Sequence, residues 1–412
     1  MDTLHILKER GFVKQCSNEG ALAGLLATSK IVFYAGFDPT ADSLHAGTLV
    51  PIMAMANLQR AGHVPIVILG GGTGLIGDPS GKTEMRKIMS REEIERNNEK
   101  ILKQFQHYLS FEEGKGFFLN NADWLVDLHY IDFLRDIGRF FKVNEMIRNE
   151  GYRLRLEREE GLSFIEFNYQ LLQAYDFLVL FDQYNCMLQV GGDDQWGNIL
   201  AGVDLVRKMR RKTVYALTFP LIETATGHKM GKTEAGTVWL DPEKTSPYDF
   251  YQYWINIDDR DVIRFLRLFT FLPGQEIDEL AKLQAEDLRK AKEVLAFEAT
   301  KITHGEEEAK KAQRTAKSVF TGTGEDLSLL STTTLSRERV REGIAVADLF
   351  HLAGLNSSKS EAIRLIKQGG AYVNDKKVES EDGVITEKDF EDKDSLLLRK
   401  GKKQYHRLVI GE

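Results

Sequence analysis

Cysteine is nearly absent: Cys16 and Cys186 are the only two in 412 residues. Two thiols cannot build a disulfide framework, which excludes a stapled secreted scaffold and predicts reduced thiols in a cytosolic protein. No apolar run approaches the roughly 20 residues that a membrane-spanning helix needs, so no span is expected. A basic excess is missing as well. The formal net charge is −7, which excludes a globally basic nucleic-acid coat and leaves any RNA contact to local patches. The opening Met1-Asp2-Thr3-Leu4-His5 does not read as a secretory leader, in line with the expected cytoplasmic location. What is present is an ordinary enzyme-like composition, 42% hydrophobic and 28% charged, with length for a large core in two to four domains.

The most informative stretch is Tyr34-Ala35-Gly36-Phe37-Asp38-Pro39-Thr40 running on to Ser43-Leu44-His45-Ala46-Gly47-Thr48. It follows the strand-like Ile31-Val32-Phe33 and precedes a helical run from Leu49 to Leu58. A strand thus feeds through a broken loop into a helix start, where unpaired N–H groups favour phosphate. Gly47 would let a flat ring lie against the backbone. A lone His at such a place is also common in ordinary cores. The helix begins near Thr48, where Pro51 suits a first turn, or at Ser43, where Pro51 would disrupt it.

Far downstream, Gly227-His228-Lys229-Met230-Gly231-Lys232-Thr233 carries two lysines three apart in a glycine-punctuated loop. That is a cationic arm able to close on a triphosphate, although such spacing is also usual in solvated loops. Together the two segments resemble the paired HIGH and KMSKS signatures of class I aminoacyl-tRNA synthetases. Three further motifs narrow the resemblance to the bacterial tyrosyl-tRNA synthetase family over nearly the whole chain: Gly70 to Lys82, Asn168 to Asp176, and Gln189 to Asn198. Thr48 stands where the signature has its second His.

The resemblance implies activation of L-tyrosine by ATP and transfer of the tyrosyl group to tRNA(Tyr), with Mg2+ accompanying the ATP and no dense carboxylate cage to hold it. It assigns Thr40, His45 and Thr48 to the triphosphate and Lys229 and Lys232 to the leaving pyrophosphate. Gly36, Asp38, Gly47, Gly192, Asp194, Gln195, Lys232 and Thr233 would form the ATP subsite, with Gly192 and Asp194 at the ribose. Tyr34 and Asp176 would meet the substrate phenol; Tyr169, Gln173 and Asp78 would hold its ammonium group. Independently, Tyr169, Gln173 and Asp176 fall at i, i+4 and i+7, so they share one helix face and make a polar wall. Asp78 also suits a plain turn before Pro79.

Strands alternating with helices predict an α/β, Rossmann-like parallel-sheet domain over 1–220, with a helical insertion near 85–160 and ligands at the strand ends. A mobile loop region over 221–244 follows, then an α-helical domain over 245–320, a linker over 321–340 and a small α+β unit over 341–412. In the last, Ser357 to Asp375 resembles the alpha-L motif of small RNA-binding domains, with Lys359, Arg364 and Lys367 on a Ser-capped helix. The apolar stripe Phe133, Leu134, Ile137, Phe140 and Phe141 suits either a homodimer surface or an internal helix. The basic runs 148–158 and 207–212 suit tRNA or simply a solvated face. Two rival functions stay open: a tryptophanyl-tRNA synthetase, and a synthetase-derived RNA-binding protein without activation activity.

Overall fold

A computed structural model describes residues 2–78, 89–148, 152–153, 156, 163–233, 236–284, 287–321, 330–390, 395–401 and 404–411. The chain forms two compact units, Met1–Thr245 with Tyr253–Glu306, and Ser246–Gln252 with Glu307–Glu412. The helical stretch expected as one segment over 245–320 is thus shared between them. Gly305, at φ +90°, ends the Leu288–His304 helix at the point of division.

The first unit is built on six strands: β1 (Gln15–Cys16), β2 (Val32–Phe37), β3 (Val64–Leu69), β4 (Phe117–Asn120), β5 (Cys186–Gly192) and β6 (Tyr215–Phe219), in the order β1-β6-β5-β2-β3-β4. All neighbours are parallel except β1, which pairs antiparallel with β6. Every residue of β3 is buried, as a strand covered on both faces requires. β4 lies inside the stretch expected as a helical insertion. Its Phe117-Phe118-Leu119-Asn120 run pairs with β3 in register Ile66↔Phe117 and completes the sheet edge. The helices Ala122–Leu125, Tyr130–Asp136 and Val143–Met146 follow it.

The polar-wall helix runs Phe164–Tyr184. It starts at a reciprocal cap in which the Glu166 N–H donates to Ser163 Oγ and the Ser163 N–H to the Glu166 carboxylate, and it stops at Asn185 in the left-handed region, a common helix end. Gly202 of the Trp196–Arg210 helix is where that helix meets it. A Cβ at Gly202 would lie 3.0 Å from Phe177 Cδ1 and 3.5 Å from Ala174 Cα. The apolar stripe divides. Ile137 is buried in the same core, with Phe133, Phe140 and Phe141 packed beside it, while Leu134 is exposed next to Tyr130 and Ile131.

In the second unit a five-stranded sheet runs Lys376–Lys377, Ala371–Val373, Ser395–Lys400, Gln404–Gly411, Thr332–Ser336. Part of the expected linker is therefore an edge strand. β-branched Thr332-Thr333-Thr334 suits that geometry, the pairing with Gln404–Gly411 is parallel, and Leu335 is buried. The expected Ser-capped helix is present as Lys359–Lys367, with Ser358 Oγ accepting from the Glu361 N–H, and Gly369 at φ +71° leads into the next strand.

Gly202→Val would force branched bulk between two packed helices. Overpacking of this kind costs about 1–3 kcal/mol, so its urea midpoint should fall below that of the parent chain.

Candidate active site

The helix question at the first loop is resolved in favour of Thr48: a 3-10 turn Ala46–Thr48 leads into the Leu49–Arg60 helix. The expected row of open amides is not there. Ala46 N–H donates to Val238 O (2.8 Å), Gly47 N–H to His45 Nδ1 (3.0 Å) and Thr48 N–H to His45 O (2.8 Å). An anion at this loop would therefore meet side chains and not open amides. Since His45 Nδ1 accepts, the neutral ring carries its proton on Nε2, which is left as a donor. Burial and the nearby Lys232 lower the imidazole pKa, which keeps the ring neutral.

Thr48 is not a spare donor. Its Oγ1 donates to His45 O (2.6 Å) and accepts from the His45 N–H (3.2 Å), so the hydroxyl braces the residue that carries the half-buried imidazole. Thr40 is exposed at the loop mouth.

Gly47 does admit a close approach, but of protein: a Cβ there would lie 2.7 Å from Met230 O, and one on Gly231 2.6 Å from Gly47 N. The lysine loop is therefore seated on the first loop. Leu240 N–H donates to Leu44 O (2.9 Å), Val238 N–H to Gly231 O (2.9 Å), and Trp239 bridges antiparallel to His45. Lys229 and Lys232 point to solvent. Backbone pairing Thr233↔Gly236 closes the hairpin; the Thr233 side chain lies outside the described residues.

At the floor of the cleft, β2 and the polar-wall helix bring Tyr34 and Asp176 together. Tyr34 is 1% exposed, and among the described residues its hydroxyl has no hydrogen-bond partner. Burial and the Asp176 carboxyl push its pKa well up, so it stays a neutral donor. Asp176, 4% exposed, accepts from Trp124 Nε1 (2.7 Å) and Asn121 Nδ2 (3.1 Å). Burial outweighs those two donors and raises its pKa to about 7. A buried hydroxyl without a partner beside a buried carboxylate is a site for a group that both donates and accepts.

Sequence reasoning missed Asn121 and Trp124, which follow β4 without any motif to mark them. Asn121 Oδ1 also accepts from the Gly72 N–H (2.8 Å), and its amide donates to Thr73 Oγ1 (3.0 Å). Gln189 was likewise missed as a separate contributor. It sits on β5 opposite Tyr34 in register, 2% exposed, and among the described residues its Oε1 has no partner.

Along the helix, Tyr169 Oη donates to Asp38 Oδ2 (3.4 Å), and Asp38 Oδ1 accepts from Thr73 Oγ1 (3.2 Å). Asp38, expected on the ATP side, is thus tied to the same wall as Tyr169. Gln173 is half-buried on that face. Asp78 is buried and accepts from Gln195 Nε2 (2.6 Å), more than a turn residue requires. Beyond β5, Asp194 has a pKa raised by burial and by the Asp78 carboxylate. A Cβ on Gly192 would fall 2.5 Å from Asp194 Oδ1, and Gly36 is exposed at the end of β2. The structure therefore brings Tyr34, Asp176, Asp38 and Tyr169 together and Asp78 with Gln195 and Asp194, with His45 and the two lysines on the paired loops.

The basic run 207–212 is largely neutralised by neighbours: Arg207 and Lys208 pair with Asp204, and Arg210 with Asp182. Arg211 and Lys212 remain exposed. Most of the run 148–158, and Gly81-Lys82 of the glycine-rich motif, lie outside the described residues.

Residues 26–321 match the family described as tRNA synthetases class I (W and Y), and residues 331–408 match the tyrosine–tRNA ligase SYY-like C-terminal domain. The chain is 54% identical over 430 residues to a tyrosine–tRNA ligase of Desulfosudis oleivorans, covering 100% of this chain and 99% of that one. It is 53% identical to that of Caldanaerobacter subterraneus subsp. tengcongensis, over the full length of both. Among solved structures, the C-terminally truncated mitochondrial tyrosyl-tRNA synthetase of Aspergillus nidulans superposes with a TM-score of 0.70 at 29% identity, covering 77% of this chain and 94% of that one. A tryptophanyl-tRNA synthetase from Encephalitozoon cuniculi, at 14% identity and TM-score 0.56 over 75% and 87% of the two chains, shares the fold. Full-length identity above one half and two consecutive domain matches place this chain among the tyrosine–tRNA ligases of the class I synthetases.

Proposed function

We propose that the cleft joins L-tyrosine to ATP and hands the tyrosyl group to tRNA, with the residues above in specific roles. The observation that carries the reading is the buried Tyr34 hydroxyl beside the Asp176 carboxylate: Tyr34 donates to the substrate phenol oxygen and Asp176 accepts the phenol proton. The test is tyrosine-dependent exchange of labelled pyrophosphate into ATP. Exchange with tryptophan alone would install the tryptophanyl rival, and no exchange would leave an RNA-binding protein.

Tyr169, Gln173 and Asp78 hold the ammonium group, and Asp38 supports Tyr169. The carboxylate of tyrosine is ionised at neutral pH and needs no general base. Catalysis is then alignment plus charge stabilisation. Neutral His45 donates through Nε2 to the triphosphate, Thr40 stands beside it, and Lys229 and Lys232 take up charge on the departing pyrophosphate. Gly36, Gly192, Asp194, Gln195 and Thr233 complete the nucleotide side, with Asp194 accepting from the ribose, while Gly47 is covered by the lysine loop. The Mg2+ that neutralises ATP would be carried largely by phosphates and water.

The exposed apolar residues Tyr130, Ile131, Val143 and Phe164, 57–71% exposed, support a homodimer surface. Arg364 and Lys367 are exposed on the Lys359–Lys367 helix, Lys367 beside Glu381 at 2.8 Å, and they support tRNA binding by the second unit.

Asp176 gives a pH signature. Its pKa near 7 lies above the unfolded carboxyl value of about 3.9, so the native chain binds the extra proton between these values. Asp176 accordingly favours the native state most at low pH, and that contribution is lost as pH rises through about 7. Tyrosine binding runs the other way, because the carboxylate form is the acceptor. The tyrosine dissociation constant should rise as pH falls from 8 to 6, and Asp176→Asn should flatten the profile; an unchanged slope in the variant would remove Asp176 from phenol recognition.

Thr48→Val removes the brace on His45. A capping bond is worth about 1 kcal/mol, so single-turnover adenylate formation should slow about fivefold with tyrosine affinity unchanged and Thr48→Ser restoring the rate.

Replacing Arg364 and Lys367 together by Ala should weaken tRNA binding and lower the log–log salt slope by about 1 per lost phosphate contact. Adenylate formation should stay at the parent rate.

A further inference from the structure

The turn Lys229–Lys232 is tight, with Lys232 N–H donating to Lys229 O (3.1 Å) and Gly231 in the left-handed region at φ +79°. Its two lysines face solvent while Met230 between them is 5% exposed. Beneath it stands Tyr253 of the Pro247–Ile255 helix. The Tyr253 hydroxyl accepts from the Gly231 N–H at 3.2 Å and donates to Met230 Sδ at 3.2 Å. Its ring is fixed edge-on against Trp254, centroids 5.1 Å apart, and Trp254 is itself fully buried against Phe265 and Phe269. Burial pushes the Tyr253 hydroxyl up to about 12, so the group stays a neutral donor and acceptor across the working pH range.

We infer that Tyr253 is a positioning residue for nucleotide chemistry: it sets the height and tilt of the lysine turn through Gly231 and Met230, without touching substrate. Gly231 is the residue whose backbone abuts Gly47 N, so a hydroxyl that holds Gly231 also fixes the spacing between the lysines and the His45 loop. A rigid aromatic foot suits this task, because its position comes from the helical core and not from the loop it serves. The inference rests on the reading that Lys232 acts on the leaving pyrophosphate.

Tyr253→Phe keeps the ring and its packing and deletes both bonds. Single-turnover adenylate formation at saturating ATP and tyrosine should slow roughly two- to tenfold. Tyrosine affinity and the melting temperature should stay at the parent values, which a merely structural role would not allow. If Tyr253 acts through the turn, the same substitution in a Lys232→Ala background should slow the reaction less than twofold. A parent-like rate in Tyr253→Phe, with Lys232→Ala slow, would overturn the positioning role alone, as would equal slowing in both backgrounds. A silent Lys232→Ala would overturn the lysine assignment and the inference with it.

Discussion

The architecture of the site depends on one backbone contact, the approach of Gly231 to Gly47. Neither position has room for a side chain, and each loop satisfies amides of the other through Ala46 to Val238 and Leu240 to Leu44. The pairing converts two loops separated by almost 200 residues into a single surface. Its chemical outcome is a division of labour: the backbone holds the loops together, so the imidazole Nε2 and two lysines are left for the ligand. Phosphate recognition by side chains also suits a triphosphate whose charge is redistributed during reaction, since a side chain can follow a moving charge where a helix terminus cannot.

The floor of the cleft works by a different principle. Asp176 is held by Trp124 and Asn121 yet remains hard to ionise, because burial outweighs two hydrogen bonds. A carboxyl of that kind suits discrimination: an amino acid with no hydroxyl would leave the Tyr34 hydroxyl desolvated and without a partner, and Asp176 with only its Trp124 and Asn121 donors.

Much of this was legible in the sequence. The strand end at Gly192 read directly, because buried parallel strands are near-continuous apolar runs, whereas β2 runs on past Phe33 to Phe37 and takes Tyr34 into the sheet. The wall of Tyr169, Gln173 and Asp176 followed from helical spacing, since the Phe164–Tyr184 helix is long and capped. What could not be read depended on partners distant in sequence. Asn121 bonds to Asp176 55 residues away, and nothing in its immediate neighbourhood marks it. The amides of Ala46 to Thr48 looked open because their acceptors include Val238 and a histidine nitrogen in an uncommon capping role. Thr332 to Thr334 resembled a linker since an edge strand of small polar residues differs from a loop only by the partner it finds, here Gln404–Gly411.

Asn121 ties together the glycine loop after β3, the turn after β4 and the Phe164–Tyr184 helix through a single amide. Three segments that differ in sequence and in task therefore share one mechanical joint. Reshaping the pocket for a ring with a different substituent cannot be done at Asp176 in isolation: deleting its carboxylate strands the Asn121 and Trp124 donors, and freeing Asn121 releases the loop that carries Thr73 and, through it, Asp38. In the proposed roles, selectivity for the ring and grip on the ammonium end are thus mutually constrained, and variants that relax one end of the substrate will tend to arise in sets.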